Sequence, residues 1–144
     1  MESCPEGYRP NVGLVVFNRE GKVWLGRREG TPPPHNWQFP QGGVDKGEDL
    51  LDAAKRELVE ETGIVSVELI GRTPGWMAYD FPPALAARKG WKGQAQVWFA
   101  FRFTGADSEV DLAAYPPIEF EDWRWADLRE ALELIVPFKR ATYE

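Results

Sequence analysis

"GEDLLDAAKRELVEETG", residues 47–63, decides how the rest of the chain is read. Leu, Ala, Lys, Arg and Glu dominate it, all good helix formers, and Leu51, Ala54 and Leu58 recur at i, i+3 and i+7 before Gly63 supplies a stop. The pattern predicts a helix over roughly Asp49 to Glu61 with one apolar stripe. Residues three and four apart share a helix face, so Glu57, Glu60 and Glu61 send their carboxylates into a common volume. Three like charges repel unless solvent or a cation relieves them. A solvated face is the ordinary explanation, because exposed glutamate is common. The sharper one is a site for a hard divalent cation, which takes oxygen ligands of this kind. Magnesium is the first choice and manganese a substitute.

Upstream of this helix, residues 11–28, "NVGLVVFNREGKVWLGRR", read as a hairpin, with strands around Val12 to Phe17 and Val23 to Arg27 and a turn through Asn18 to Gly21. "EGTPPPHN" must be a loop, since Pro32 to Pro34 forbid regular helix or central strand. "WQFP" is a short extended piece, and "QGGVDKGED" a glycine-punctuated loop entering the helix. Downstream, "VSVELIGRT" and "WMAYD" read as strands, "FPPALAARKGWKG" as a long basic loop, "QAQVWFAFRF" as a central strand and "IEFEDWRW" as another. Asp127 then caps a helix to about Leu134, with Glu130 in capping-box position, and "VPFKRATYE" starts a final helical turn. Mixed strands with one strong central helix and a later one indicate an α/β or α+β sandwich.

The length of 144 residues suits a single domain, residues 1–144. Seventeen Lys and Arg against 23 Asp and Glu give a net charge of −6, which disfavours a long grip on nucleic-acid phosphates. DNA is not an expected partner, whereas a small phosphorylated ligand or one RNA end is compatible. Cys4 is the one cysteine and His35 the one histidine, so there is no intrachain disulfide framework and no multi-histidine zinc site. With no run of about 18 apolar residues and none at the start, a cytoplasmic protein without membrane association is expected. Seven tryptophans are many, to be spent on core, pocket walls or stacking on a base.

The wider pattern runs Gly42, five residues, Glu48, seven residues, Arg56-Glu57-Leu58, one residue, Glu60-Glu61, one residue, Gly63-Ile64. It resembles the Nudix box of the Nudix hydrolases at every defining position, over residues 42–64. The resemblance implies an α/β/α sandwich around a mixed sheet and cleavage of a nucleoside diphosphate linked to a further group. It makes Glu57, Glu60 and Glu61 magnesium ligands, with Glu57 also able to act as base. Arg56 would orient a ligand carboxylate, Glu48 would brace the loop, and the glycines Gly42, Gly43 and Gly63 would permit tight turns. Which glutamate takes the proton stays open, since ligand and base are both ionised carboxylates.

The likeness extends to "YRPNVGLVVFN", "WQFPQGG", "GQAQVWF", "EFEDWRW" and "VPFKR". These look like the branch of bacterial RNA 5′-pyrophosphohydrolases and asymmetric dinucleoside polyphosphate hydrolases. That branch implies a further metal carboxylate at Glu119, with Glu121 competing, and substrate contacts from Arg9, Arg28, Tyr79, Gln94, Phe138 and Lys139. Cationic groups suit phosphates and planar ones a base. Adjacent strand residues face opposite ways, so one of Arg27 and Arg28 should reach the ligand. Arg88, Lys89 and Lys92 are either phosphate contacts or a solvated basic loop. The triple-proline loop is nearer in length to dinucleoside polyphosphate hydrolases, leaving triphosphorylated RNA and diadenosine tetraphosphate both open as substrates. The alternatives are a nucleotide-pool or ADP-ribose-type pyrophosphatase of another Nudix branch, and a silent nucleotide-binding Nudix domain.

Overall fold

The computed structural model describes residues 4–28 and 36–134. The triple-proline run, His35, Phe138, Lys139 and the expected final helical turn lie outside the described residues.

Strand β1 (Tyr8–Phe17) lies beside β7 (Gly93–Phe103), parallel over its full length from Tyr8↔Gly93 to Phe17↔Arg102. The far edge of β7 carries two antiparallel strands in succession, β5 (Val67–Arg72) and β6 (Met77–Asp80). On its other side, β1 meets β2 (Val23–Arg28) at its C-terminal end and β4 (Gln41–Gly43) near its middle. Strand β2 also pairs with β3 (Trp37–Gln38) and with β8 (Phe120–Ala126). "QGG" is thus a strand, not part of a loop: its backbone finds partners in β1, and this brings the start of the acidic segment onto the sheet.

Strand alternation sorts the core into two layers. Val12, Leu14, Val16, Val97, Phe99 and Phe101 pack with Ala53, Ala54 and Leu58 of helix α1 (Leu50–Thr62). Their neighbours Val15, Phe17 and Trp98 point the other way, to a cluster that includes Phe39 and Ala131 of α3 (Leu128–Leu134). One helix therefore covers each face of a mixed sheet. Asp49 caps α1 through bonds to the Leu51 and Asp52 amides, and Gly63 ends it in the left-handed region at φ 78°. Tryptophan serves the packing: Trp24 stacks on Trp123 at 6.1 Å between centroids, and Trp98 meets Phe39 edge-on.

"FPPALAARKGWKG" contains a helix, α2 (Pro83–Lys89), where a loop was expected. Proline is tolerated at its first turn, Ala84, Leu85, Ala86 and Ala87 are good formers, and Gly90 closes it at φ 76°. Glu130 of α3 engages Arg124 at 2.6 Å, a use other than the expected capping box.

Candidate active site

Arg56 organises the acidic helix. Its Nε bonds Glu48 Oε2 at 2.8 Å, Nη2 reaches Glu48 Oε1 and the Gly43 carbonyl at 2.9 Å each, and Nη1 reaches Glu57 at 2.8 Å and Glu60 at 3.1 Å. One guanidinium thereby ties the loop, the strand end and the helix together. Glu48 also accepts from the Asp45 amide, closing the loop on itself. The bond to Arg56 holds the Glu48 carboxyl below its ordinary range, and the same bond raises Arg56 further.

Glu61 is 7% exposed and its Oε1 has no hydrogen-bond partner. Burial, with Glu57 beside it and Glu119 near it, pushes its carboxyl well above the usual range. Glu57 is raised as well, chiefly by burial and against the pull of Arg56. A Cβ on Gly42 would overlap the Glu57 side chain, and one on Gly43 would lie 2.7 Å from Arg9 Nη2. Neither glycine has a positive φ. Their role is close approach, not the tight turns expected of them; only Gly63 has that second role.

A cavity of about 770 Å³ gathers Glu57, Glu60, Glu61 and Glu119 with Gly42, Gly43, Arg9, Arg28, Tyr79 and Gln94. The sheet explains the assembly, because Arg9, Gln94 and Tyr79 are consecutive cross-strand partners on β1, β7 and β6. Tyr79 donates its hydroxyl hydrogen to Gln94 Oε1, and burial pushes its phenol up to about 12. Arg28 faces the cavity, while Arg27 pairs with Glu121 at 3.0 Å and lies over Trp37. Glu121 is thus engaged with Arg27, and Glu119 is the one of the two that lines the cavity. Of the three basic residues around α2, Lys89 lines it too, with Leu85 one turn earlier; none of the seven tryptophans does. Asn11, Gln38 and Gln41 are lining residues absent from the sequence-based set. Polar residues in otherwise apolar strands were the available signal for them.

The donor set fits a hard divalent cation: four carboxylates, one of them buried with an orphaned oxygen, beside a strand whose glycine leaves room for Glu57. Among the described residues no three acidic, histidine or cysteine side chains converge on a point as they stand. Arg56 engages one oxygen each of Glu57 and Glu60 through its Nη1, which leaves the second oxygen of each carboxylate for an ion.

The family model of the NUDIX domain matches residues 7–144. The chain belongs to the Nudix family. Among curated proteins, this Nudix chain is 63% identical over 141 residues to an RNA pyrophosphohydrolase of Caulobacter vibrioides (strain NA1000 / CB15N), covering 95% of this chain and 82% of that one. An RNA pyrophosphohydrolase of Rhodopseudomonas palustris (strain HaA2) is 52% identical over 146 residues, covering 95% and 87%. Among solved structures, the C. elegans Ap4A hydrolase binary complex superposes with a TM-score of 0.62 at 24% identity, over 86% of this chain and 84% of that one, a likeness of fold. No helix among the described residues is long and apolar enough to cross a membrane.

Proposed function

We propose that this Nudix hydrolase cleaves the pyrophosphate linkage at the 5′-triphosphate end of RNA with magnesium as its cation, manganese substituting. The observation that carries the reading is one cavity in which a carboxylate cluster faces Arg9, Arg28, Lys89 and Gln94, supported by relatives up to 63% identical that are named RNA pyrophosphohydrolase. Carboxylates alone would repel the substrate; cations alone would bind it without activating water.

In this reading Glu57, Glu60, Glu61 and Glu119 hold the cation, which when bound offsets charge on the phosphate oxygens and acidifies water. Arg56 and Glu48 act at one remove, as positioning residues that set where Glu57 and Glu60 can reach. One glutamate takes the proton from the attacking water, and Glu57 is the candidate that the family resemblance favours. Arg9, Arg28 and Lys89 receive the phosphate oxygens, holding the chain in line for displacement. Gln94, with its oxygen occupied by Tyr79, offers its NH₂ to the same oxygens. By the family resemblance, Phe138 and Lys139, outside the described residues, would add a base platform and a further cation.

The test is a product analysis in magnesium, with a short 5′-triphosphorylated RNA in one reaction, diadenosine tetraphosphate in a second and ADP-ribose in a third, and Glu60→Gln as control. Preference for the RNA, leaving a 5′-monophosphate end, is the expected result. Conversion of the dinucleotide to ATP and AMP in preference would transfer the assignment to that substrate. Preference for ADP-ribose would move it to another branch, and wild-type turnover no better than that of Glu60→Gln would indicate a silent binding domain.

A further inference from the structure

Gln96 of β7 is 1% exposed and Asn11 of β1 2% exposed, and they stand opposite each other in the parallel register. Burying an amide is unfavourable unless its hydrogen bonds are made. Gln96 Nε2 donates to Asn11 Oδ1 at 2.8 Å and to Gln41 Oε1 at 2.7 Å. A side-chain amide has two N–H hydrogens, and both are spent on these two oxygens. With their oxygens held by Gln96, Asn11 and Gln41 each keep an NH₂ as donor, and both residues line the cavity beside Gly42, Gly43 and Glu57. Unlike Arg56, a neutral amide forms no ion pair with the neighbouring glutamates, and it stays available to an anion.

We infer that Asn11 and Gln41 are neutral hydrogen-bond donors to the phosphate oxygens of the substrate, and that Gln96 is the positioning residue that aims them. The inference rests on the phosphoanhydride substrate of the proposed function. Donors fixed in advance cost no reorganisation when the phosphate arrives, which is the value of anchoring both from one buried point.

The test titrates methylenediphosphonate, a pyrophosphate mimic that resists hydrolysis, into the full chain with magnesium, alongside melting curves. Asn11→Leu and Gln96→Met are each expected to weaken binding about five- to tenfold. The double variant should fall well short of the product of the two factors, because Gln96 acts partly through Asn11. Unchanged affinity in Gln96→Met despite a lowered melting temperature would make the amides merely structural and overturn the positioning role, as would factors that multiply fully. If Gln96→Met does not fold, Asn11→Leu and Gln41→Leu decide the donors, and unweakened binding in both overturns them. Absence of binding by the wild-type chain overturns them as well. Binding that depends on Asn11 and Gln41, in a chain that does not process triphosphorylated RNA, would refute the proposed substrate and leave the donors standing.

Discussion

At Gly42 stability and reactivity depend on the same close approach, whereas at Glu61 they oppose each other. A methyl group on Gly42 would occupy the place of the Glu57 side chain, so Gly42→Ala forces the carboxylate out of its position against β4. The expected cost is about 1–3 kcal/mol of stability, as for overpacking elsewhere, and about a hundredfold in kcat, because a small displacement of a reacting group is expensive. Chemical denaturation and steady-state rates together check this, and full activity would show that Glu57 has no need of that position. Glu61 is the opposite case. Its buried, partly unpartnered carboxyl disfavours the ionised form in the absence of a cation. Glu61→Gln is therefore expected to raise the stability of the chelator-treated protein at neutral pH by about 1 kcal/mol while lowering turnover at least about a hundredfold. Melting curves with and without magnesium separate the two effects: the wild-type protein should gain from magnesium and the variant should not.

At the scale of elements, the turn at Asp107–Glu109 fastens the exit of α1. Glu109 Oε2 accepts from the Val65 and Ser66 amides at 2.7 and 2.8 Å. Burial opposes its ionisation, but these bonds outweigh that and hold the carboxyl below its ordinary value of 4.5. A depressed folded value means the stabilisation is present above the unfolded value and lost as pH falls through the folded one. Glu109→Gln should thus cost about 1 kcal/mol at pH 7, a deficit that disappears in acid; an equal deficit at both ends of a pH-dependent unfolding series would refute it. Helix α2 supplies a second prediction. Its period places Leu85 and Lys89 toward the cavity, with Arg88 outside the lining set. Lys89→Gln is expected to raise KM for a polyphosphate severalfold with kcat little changed, and Arg88→Gln to leave both alone. This helix was hidden from the sequence because its prolines read as loop signals, when at a first turn they are compatible with a helix. Helix α1 was legible, since cap, stripe and stop all lie within one local stretch. The glutamate cluster was legible for the same reason. The amides of Asn11, Gln41 and Gln96 were not: they come from three strands, separated by 85 and 55 positions, and only the sheet register brings them together. Strand β4 was missed on similar grounds, because its hydrogen bonds, not its glycine-rich composition, make it a strand.

For the whole molecule, the question is how a chain of net charge −6 binds a polyanion. Long-range attraction does not favour the encounter, and a nucleic-acid groove would need a row of cations to release counterions along its length. Here Arg9, Arg28 and Lys89 open into one cavity, so attraction is concentrated where the phosphates of a single 5′ end would sit. Other cations are already engaged, Arg27 with Glu121, Arg124 with Glu130 and Arg56 with the acidic helix. The consequence is a length limit on recognition. Beyond the first few nucleotides, added phosphates should contribute no affinity, so KM for triphosphorylated RNAs from about four to about twenty nucleotides should agree within about twofold, and its salt dependence should correspond to about three phosphate contacts at every length. A KM that falls steadily with length, with a steepening salt slope, would require a basic track outside the cavity. Equal KM values would instead locate recognition at the 5′ end, where the electrostatics of the chain favour an anion.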